Sequence, residues 1–391
     1  MTNSIEENHK LEDDRLPSEP LKKLTSVGKV GLWMGFWLLL MDLVINILFP
    51  FPQDASQNPS SLERYFDYGR SVEGKLNRMI KTEASKSNSL LLAGWIDPKS
   101  WQERPLSPEG DDDLLVAVYG MSFSNHASEA LAEIDGKITL RLIPGPAAPP
   151  NHSFAAYMAD TEGRTADVAI FGILASSVQR MRSLSGMNWT YENPSPYTYP
   201  YYTVNQKGEL VAVDPAITTA DEFMEAFNRQ DERWQLLKSQ MKQNDYPFDP
   251  FVFHENLTDT SAIIRLIRRG WADRMRSQSE TGLYDPQTGF NPEALEIQAL
   301  QVMLTEFVAT ARAAEQRPLI LLINDQGYDA YLYEALAAHL ENLDALVLST
   351  HTIVPSNDPS NFLSDGHFTS DANHKIGEAL QKIIRSEVGN P

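Results

Sequence analysis

The 391-residue chain contains no cysteine. That excludes disulfides, thiolate metal sites and a cysteine nucleophile. It is compatible with a reducing compartment or with an envelope protein that folds without staples. Basic residues are also scarce, with 33 Lys and Arg against 53 Asp and Glu, a formal net charge of -20. With no basic stripe to neutralise phosphates, no nucleic-acid partner is expected. The eight histidines are scattered without a His-x-x-x-His pair, so no metal site is expected. Walker and dinucleotide-binding glycine loops are missing as well, so no cofactor is expected. No internal repeat or low-complexity tract is visible.

One long apolar run is present at residues 30–49, with Asp42 as its single ionisable residue. Twenty such residues suffice to cross about 30 Å of hydrocarbon. Lys22, Lys23 and Lys29 precede the run, and no Lys or Arg follows until Arg64. The charge bias places the N-terminus in the cytoplasm and the bulk of the chain outside, as a single-pass inner-membrane protein. A cleaved signal peptide is the alternative, but the run is long for one and no small-x-small cleavage site follows. Asp42 is either tolerated in a weakly hydrophobic anchor or contacts a partner helix.

The chain divides accordingly into a disordered cytoplasmic tail (1–28), the transmembrane anchor (29–50), a linker (51–61) and an extracytoplasmic domain (62–391). Residues 62–80 read as one amphipathic helix, and 84–112 as turns. From residue 114 the pattern becomes α/β, with strands near 114–119, 137–143 and 166–174 alternating with helices near 124–134, 151–160 and 175–184. The pattern breaks at 186–290, read as an insertion or cap with a hairpin at 203–213 and helices near 219–243 and 258–277. It resumes with a helix at 292–314, a strand at 318–323, a helix at 329–340, a strand at 345–349 and a last helix at 372–385. Strand and helix alternating at this spacing predict a parallel sheet flanked by helices in three layers.

Two motifs carry chemistry. Gly120-Met-Ser-Phe-Ser124 follows the first strand, and Asp365-Gly-His367 lies between the last strand and the last helix. In a parallel sheet both positions emerge at the carboxyl edge, where sites form. A serine hydroxyl there needs a histidine to take its proton and a carboxylate to orient that histidine. Ser122 should point into the crevice, and Ser124 is better placed to cap the following helix. Each motif alone is weak, since serines after strands are often caps and loop histidines are often only solvated. Asp371 and His374 form a competing pair.

Together the two motifs resemble the SGNH/GDSL hydrolase superfamily, and within it the bacterial subset tied to exopolysaccharide O-acetylation, the alginate acetylation proteins. The resemblance covers roughly residues 113–185 and 292–388. It implies a flavodoxin-like sheet, Ser122 as nucleophile, His367 as base and Asp365 as orienting acid. Met121 stands where the family has Asp, and the Asp-to-His spacing is one residue short of the commoner form. Leu174, in Phe171-Gly172-Ile-Leu174, stands where the family's third block supplies an oxyanion Asn. Gly145 corresponds to the second-block glycine. Gly145, Gly172 and Asn151 are therefore the oxyanion candidates, with His152 as a further substitute donor.

The aromatic stretch 189–202 offers Trp189, Tyr197 and Tyr199 as a surface for stacking sugars, or else packs as a Pro-rich loop. The function implied is a serine ester hydrolase or O-acyltransferase acting on acylated envelope or exported glycans or small esters. The alternative is a catalytically weak scaffold that binds glycan or an envelope-assembly partner. A separation between Ser122 and His367 beyond about 4 Å would favour the scaffold.

Overall fold

The computed structural model describes residues 19–52, 59–83 and 90–388. The expected tail at 1–18 and most of the linker, 53–58, lie outside the described residues. Helix α1 spans Glu19–Leu48, so residues 19–28, expected in the disordered tail, are helical. The single helix expected at 62–80 is two, α2 (Ser61–Asp67) and α3 (Val72–Glu83). The break falls at Ser71, whose Oγ accepts the Gly74 N–H at 3.1 Å, starting a new helix in the manner of an N-cap. The Ser71 N–H and hydroxyl are both engaged by Asp259, far along the chain. A tertiary contact thus cuts a helix that periodicity alone would continue.

The sheet follows, with β1 (Leu114–Gly120), α4 (Ser122–Ile134), β2 (Ile138–Pro144), α5 (Pro150–Ala159) and β3 (Val168–Leu174). The expected helix at 175–184 is a 3-10 helix, Ala175–Arg182. The region 186–290 contains the hairpin β4 (Tyr201–Val204) and β5 (Leu210–Val213), then helices α6 (Ala220–Arg229), α7 (Glu232–Asn244), α8 (Pro250–Phe253) and α9 (Ala262–Glu280). The expected helix at 219–243 divides because Gln230 turns left-handed and Asp231 caps α7, accepting the Arg233 and Trp234 N–H groups. A small hairpin, β6 (Tyr284–Asp285) with β7 (Gly289–Phe290), leads into α10 (Leu295–Ala313), β8 (Arg317–Ile323), α11 (Tyr331–Leu340), β9 (Leu346–Ser349) and α12 (Ser370–Val388).

The five long-range strands form one parallel sheet in the order β2-β1-β3-β8-β9. This is the doubly wound order whose direction reverses between β1 and β3, where a crevice opens at the carboxyl ends. Every residue of β1 and β3 is buried, as expected of strands covered on both faces. Alternate side chains serve opposite layers. Leu115, Ala117 and Tyr119 pack with Phe154, Tyr157, Leu300 and Phe307 of α5 and α10. Leu114, Val116 and Val118 pack with Leu131, Ile376 and Leu380 of α4 and α12. The architecture is therefore α/β in three layers, with a separate N-terminal apolar helix.

A third core joins α3 to the insertion through Val72, Leu76, Trp95, Tyr197, Tyr199, Phe223 and Trp234. The insertion is thus built onto the segment that precedes the sheet. Within it, Asp245 is buried and accepts the Leu184 N–H at 2.7 Å and the Asn188 amide at 2.8 Å. Burial outweighs these bonds and pushes its carboxyl up to about 7. Burial pushes His152 the other way, down to about 4.

The two groups give opposite pH slopes. Asp245 is protonated in the folded chain and ionised in the unfolded chain between about pH 4 and 7, so its contribution is lost as pH rises through about 7. His152 contributes stability above its ordinary value that is lost as pH falls towards about 4. Asp245→Asn removes the first slope and leaves the second. Urea midpoints from pH 4 to 8 should show the variant gaining on the wild type up to about pH 7 and running parallel above it. A constant difference across the range would rule this account out.

Candidate active site at the carboxyl edge of the sheet

Ser122 is the first residue of α4, two residues beyond the end of β1. Met121 occupies the cap position with extended backbone and makes no side-chain cap bond. The first N–H groups of α4 are therefore without the side-chain acceptor that usually covers a helix start. Ser124, expected to cap this helix, does not. It is fully buried and fits against two glycines. A Cβ on Gly172 would lie 1.9 Å from the Ser124 Oγ, and one on Gly120 2.3 Å. Gly172 is thus required for the close approach of α4 to β3.

His367 is held by a small turn. Phe362 and Phe368 form an isolated antiparallel bridge. The Leu363 N–H donates to the His367 carbonyl at 2.7 Å, and the Gly366 N–H to the Leu363 carbonyl at 3.0 Å. Gly366 has φ +90°, a conformation open to glycine and costly for other residues. This fold-back lets the Asp365 carboxylate accept the His367 backbone N–H at 3.1 Å, while its other oxygen lies 3.3 Å from His367 Nδ1. The backbone N–H holds the Asp365 carboxyl below its usual range, so it is ionised at neutral pH.

The two motifs, 245 residues apart, meet. Ser122 Oγ lies 2.8 Å from His367 Nε2. With Nδ1 protonated towards Asp365, Nε2 is left to accept the serine hydroxyl proton. Phe123 stacks on the imidazole with ring centroids 4.8 Å apart and planes at 19°. Phe368 packs edge-on against Phe123 at 5.3 Å. The histidine ring is therefore fixed by an aromatic face as well as by the carboxylate, whose side chain is 65% exposed. The competing pair does not take part. Asp371 binds Lys375 at 2.6 Å and His374 lies 3.7 Å from Glu378, along the solvent face of α12.

Ser122 opens into a cavity of about 610 Å³. The cavity is walled by Trp95, Trp101, Arg104, Asn125 and the 144–146 loop, with Asp97 and Ser100 also lining it and Ala220 from the insertion. Arg141 sets much of this wall. It is fully buried on β2 and pairs bidentately with Asp160 at 2.7 and 2.8 Å. Its remaining nitrogen donates to the Arg104 and Pro105 carbonyls at 3.1 and 3.3 Å. The cavity-lining segment is therefore tied to the sheet through one guanidinium.

The expected oxyanion donors are not available in this arrangement. The Gly145 N–H donates to the Gly120 carbonyl at 3.1 Å. Asn151 is the second residue of α5, fully buried, with its amide given to the Met181 carbonyl at 3.1 Å. His152 is buried and donates from Nε2 to the Gly94 carbonyl at 2.6 Å. Gly172 lies behind Ser124, and Leu174 packs in the core. The aromatic candidates are interior too, with Trp189 3% exposed and Tyr197 and Tyr199 each 1%. The Tyr197 hydroxyl donates to the Pro146 carbonyl, so it braces the cavity wall from behind. A Pro-rich loop cannot leave so many rings in water when a core is within reach.

Sequence reasoning missed Asn125, Phe123 and the 95–104 wall. Asn125 stands three residues after Ser122, on the same face of α4, and that spacing was the available signal. Trp95 and Trp101 lie in a stretch without periodicity.

A scan against known protein families and comparisons with curated proteins and with solved structures found no match. The site therefore rests on its own geometry.

Gly366→Ala tests that geometry. Forcing a side chain into this turn should cost about 1–3 kcal/mol and draw Asp365 off the imidazole. Urea unfolding together with the NMR shifts of His367 would detect both effects. Unchanged values of both would mean that the turn does not place the histidine.

Proposed function

We propose that the chain is a membrane-anchored serine ester hydrolase or O-acyltransferase of SGNH type, acting on acylated glycans or small esters. The observation that carries the reading is the 2.8 Å contact between Ser122 Oγ and His367 Nε2, with Asp365 behind the imidazole. It lies well inside the separation beyond which a binding scaffold would be favoured. α1 serves as a single-pass anchor, its stretch Ser26–Leu48 being long and apolar enough to cross a membrane.

In this reading Ser122 Oγ attacks the acyl carbonyl while His367 Nε2 takes its proton. The tetrahedral intermediate collapses as the imidazolium returns that proton to the departing alcohol. The acyl group is then esterified to Ser122. Water or a sugar hydroxyl attacks the acyl-enzyme, again losing its proton to His367, and the product is an acid or a new ester. Both outcomes use the same residues.

The developing oxyanion needs donors. With Gly145, Asn151 and Gly172 engaged elsewhere, the candidates are the open N–H of Ser122 at the start of α4 and the side-chain amide of Asn125 on the cavity wall. Trp95 and Trp101 give the cavity apolar faces, and Asp97, Ser100 and Arg104 add polar groups. That mixture suits a sugar ring bearing a small acyl group.

The test is turnover of p-nitrophenyl acetate by the full chain in detergent, beside covalent labelling by a fluorophosphonate. Ser122→Ala should abolish both, and His367→Ala should reduce both at least 1000-fold. Asn125→Ala should reduce turnover about 100- to 1000-fold while the protein stays folded. Asp365→Asn should cost less, about 10- to 100-fold, because so exposed a carboxylate orients the imidazole only partly. Wild-type protein that neither turns over the ester nor labels would return the weight to a glycan- or partner-binding scaffold.

A further inference from the structure

The polar residues of the anchor are not free in the lipid-facing surface. Asp42 Oδ1 accepts the Ser261 hydroxyl and the Ile263 N–H, each at 2.9 Å. These two residues form the N-terminal end of α9, so Asp42 acts as an extra cap on that helix. One turn further along, Asn46 Oδ1 accepts a hydrogen bond from the Arg265 guanidinium at 2.9 Å. Phe49 stacks on Phe66 of α2 at 5.5 Å. The anchor and the folded domain are thus joined by directed polar bonds as well as by the chain itself.

This seam fixes a depth. Asp42 lies six residues before the end of α1 at Leu48, which at 1.5 Å per residue is about 9 Å. The start of α9 therefore lies alongside the span and level with its last two turns. The surface around it is apolar, with Leu257 89% exposed, Ile267 56% and Trp271 41%. Ile267 and Trp271 fall on one stripe of α9, and Leu62 and Tyr65 of the adjoining α2 are also exposed. Cations border the rings, with Arg269 over Tyr65 and Arg274 over Trp271. In a chain of net charge -20, α9 carries five Arg against two acidic residues; Arg265 and Arg268 are buried, and Arg269, Arg274 and Arg276 lie at the surface. Exposed aliphatics beside Trp, Tyr and Arg form the composition that settles at the headgroup level of a bilayer.

We propose that the α9 and α2 surface, including Leu257, lies in the lipid leaflet on the domain's side of the membrane. Asp42 and Asn46 hold it there, so the Ser122 cavity keeps a fixed orientation to the bilayer. The occupant is lipid. It is argued from the continuity of this surface with the span and from the depth that Asp42 sets. The proposal rests on reading α1 as a membrane span.

The absence of cysteine makes the test direct. Single variants Leu257→Cys, Ile267→Cys and Trp271→Cys of the full chain are spin-labelled and reconstituted in vesicles of phosphatidylethanolamine and phosphatidylglycerol. Collisions of each label with oxygen and with a water-soluble nickel chelate are then compared. Glu378→Cys, on the exposed face of α12, serves as the aqueous control, and Leu39→Cys as the control within the span. Labels at 257, 267 and 271 should show an oxygen-to-nickel ratio several-fold above that at 378 and below that at 39. Aqueous values at all three, with 39 in lipid, would overturn the docking while leaving the anchor intact. Low access to both reagents would overturn it in favour of a contact with a second copy. An aqueous value at 39 would overturn the span itself. Asp42→Ala should release the seam and shift the labels at 267 and 271 towards the aqueous value.

Discussion

Strands buried on both faces can present chemistry only at their ends. β1 and β3 are buried along their whole length, so neither face of the central sheet is open to a substrate. The reversal of strand order between them leaves one crevice, at the carboxyl ends, and the helix that starts there aims its free N–H groups into it. Ser122 is the first helical residue after β1, and the turn carrying His367 precedes the last helix on the same side of the sheet. Their meeting follows from the packing of α4 on α12, which brings together two segments far apart in sequence. Close packing of α4 on the sheet in turn requires Gly172, where any side chain would meet Ser124.

The rest of the site depends on buried polar contacts that reach outward from the sheet. Arg141 and Asp160 are both removed from water; Arg141 donates to Asp160 and to backbone carbonyls, and Asp160 also accepts from the Tyr119 hydroxyl and the Gly163 N–H. Breaking such a pair from one side leaves an uncompensated charge. The guanidinium also gathers the carbonyls of the 101–105 segment, so the cavity wall is positioned by the same pair. On the opposite side, His152 and Tyr197 hold the Gly94 and Pro146 carbonyls. Groups expected to face the cavity are found instead one layer behind its wall, fixing the backbone that lines it.

The legible part of the fold was its repetitive part. Strand-length runs between turns placed all five strands to within about two residues, and β1, β3 and most of β8 read as continuous apolar runs because a strand covered on both faces has no polar face to interrupt it. The topology those runs imply puts Ser122 and the Asp365–His367 loop at the same edge of the sheet, while their pairing as one constellation comes from the motif resemblance. The illegible part was wherever a long-range bond overrides local preference. Ser71 ends one helix and starts another with the help of Asp259, 188 residues away. Asp42 reads as an awkward charge in an apolar run until Ser261 and Ile263 are seen against it. The tyrosines of 189–202 look like a surface until the third core is assembled.

The sequence by itself determined the strands of the central sheet, the apolar run of α1 and the residue types that an acyl transfer would use. Periodicity and side-chain chemistry are local properties, written within a few residues of one another. Only the tertiary structure decided which groups are free to act. A backbone N–H already given to Gly120 is unavailable to an oxyanion, an amide fully buried against Met181 does not reach the cavity, and a ring enclosed by other rings is unavailable to a sugar. Such assignments depend on partners that lie tens to hundreds of residues away, and they become visible once the chain has closed on itself.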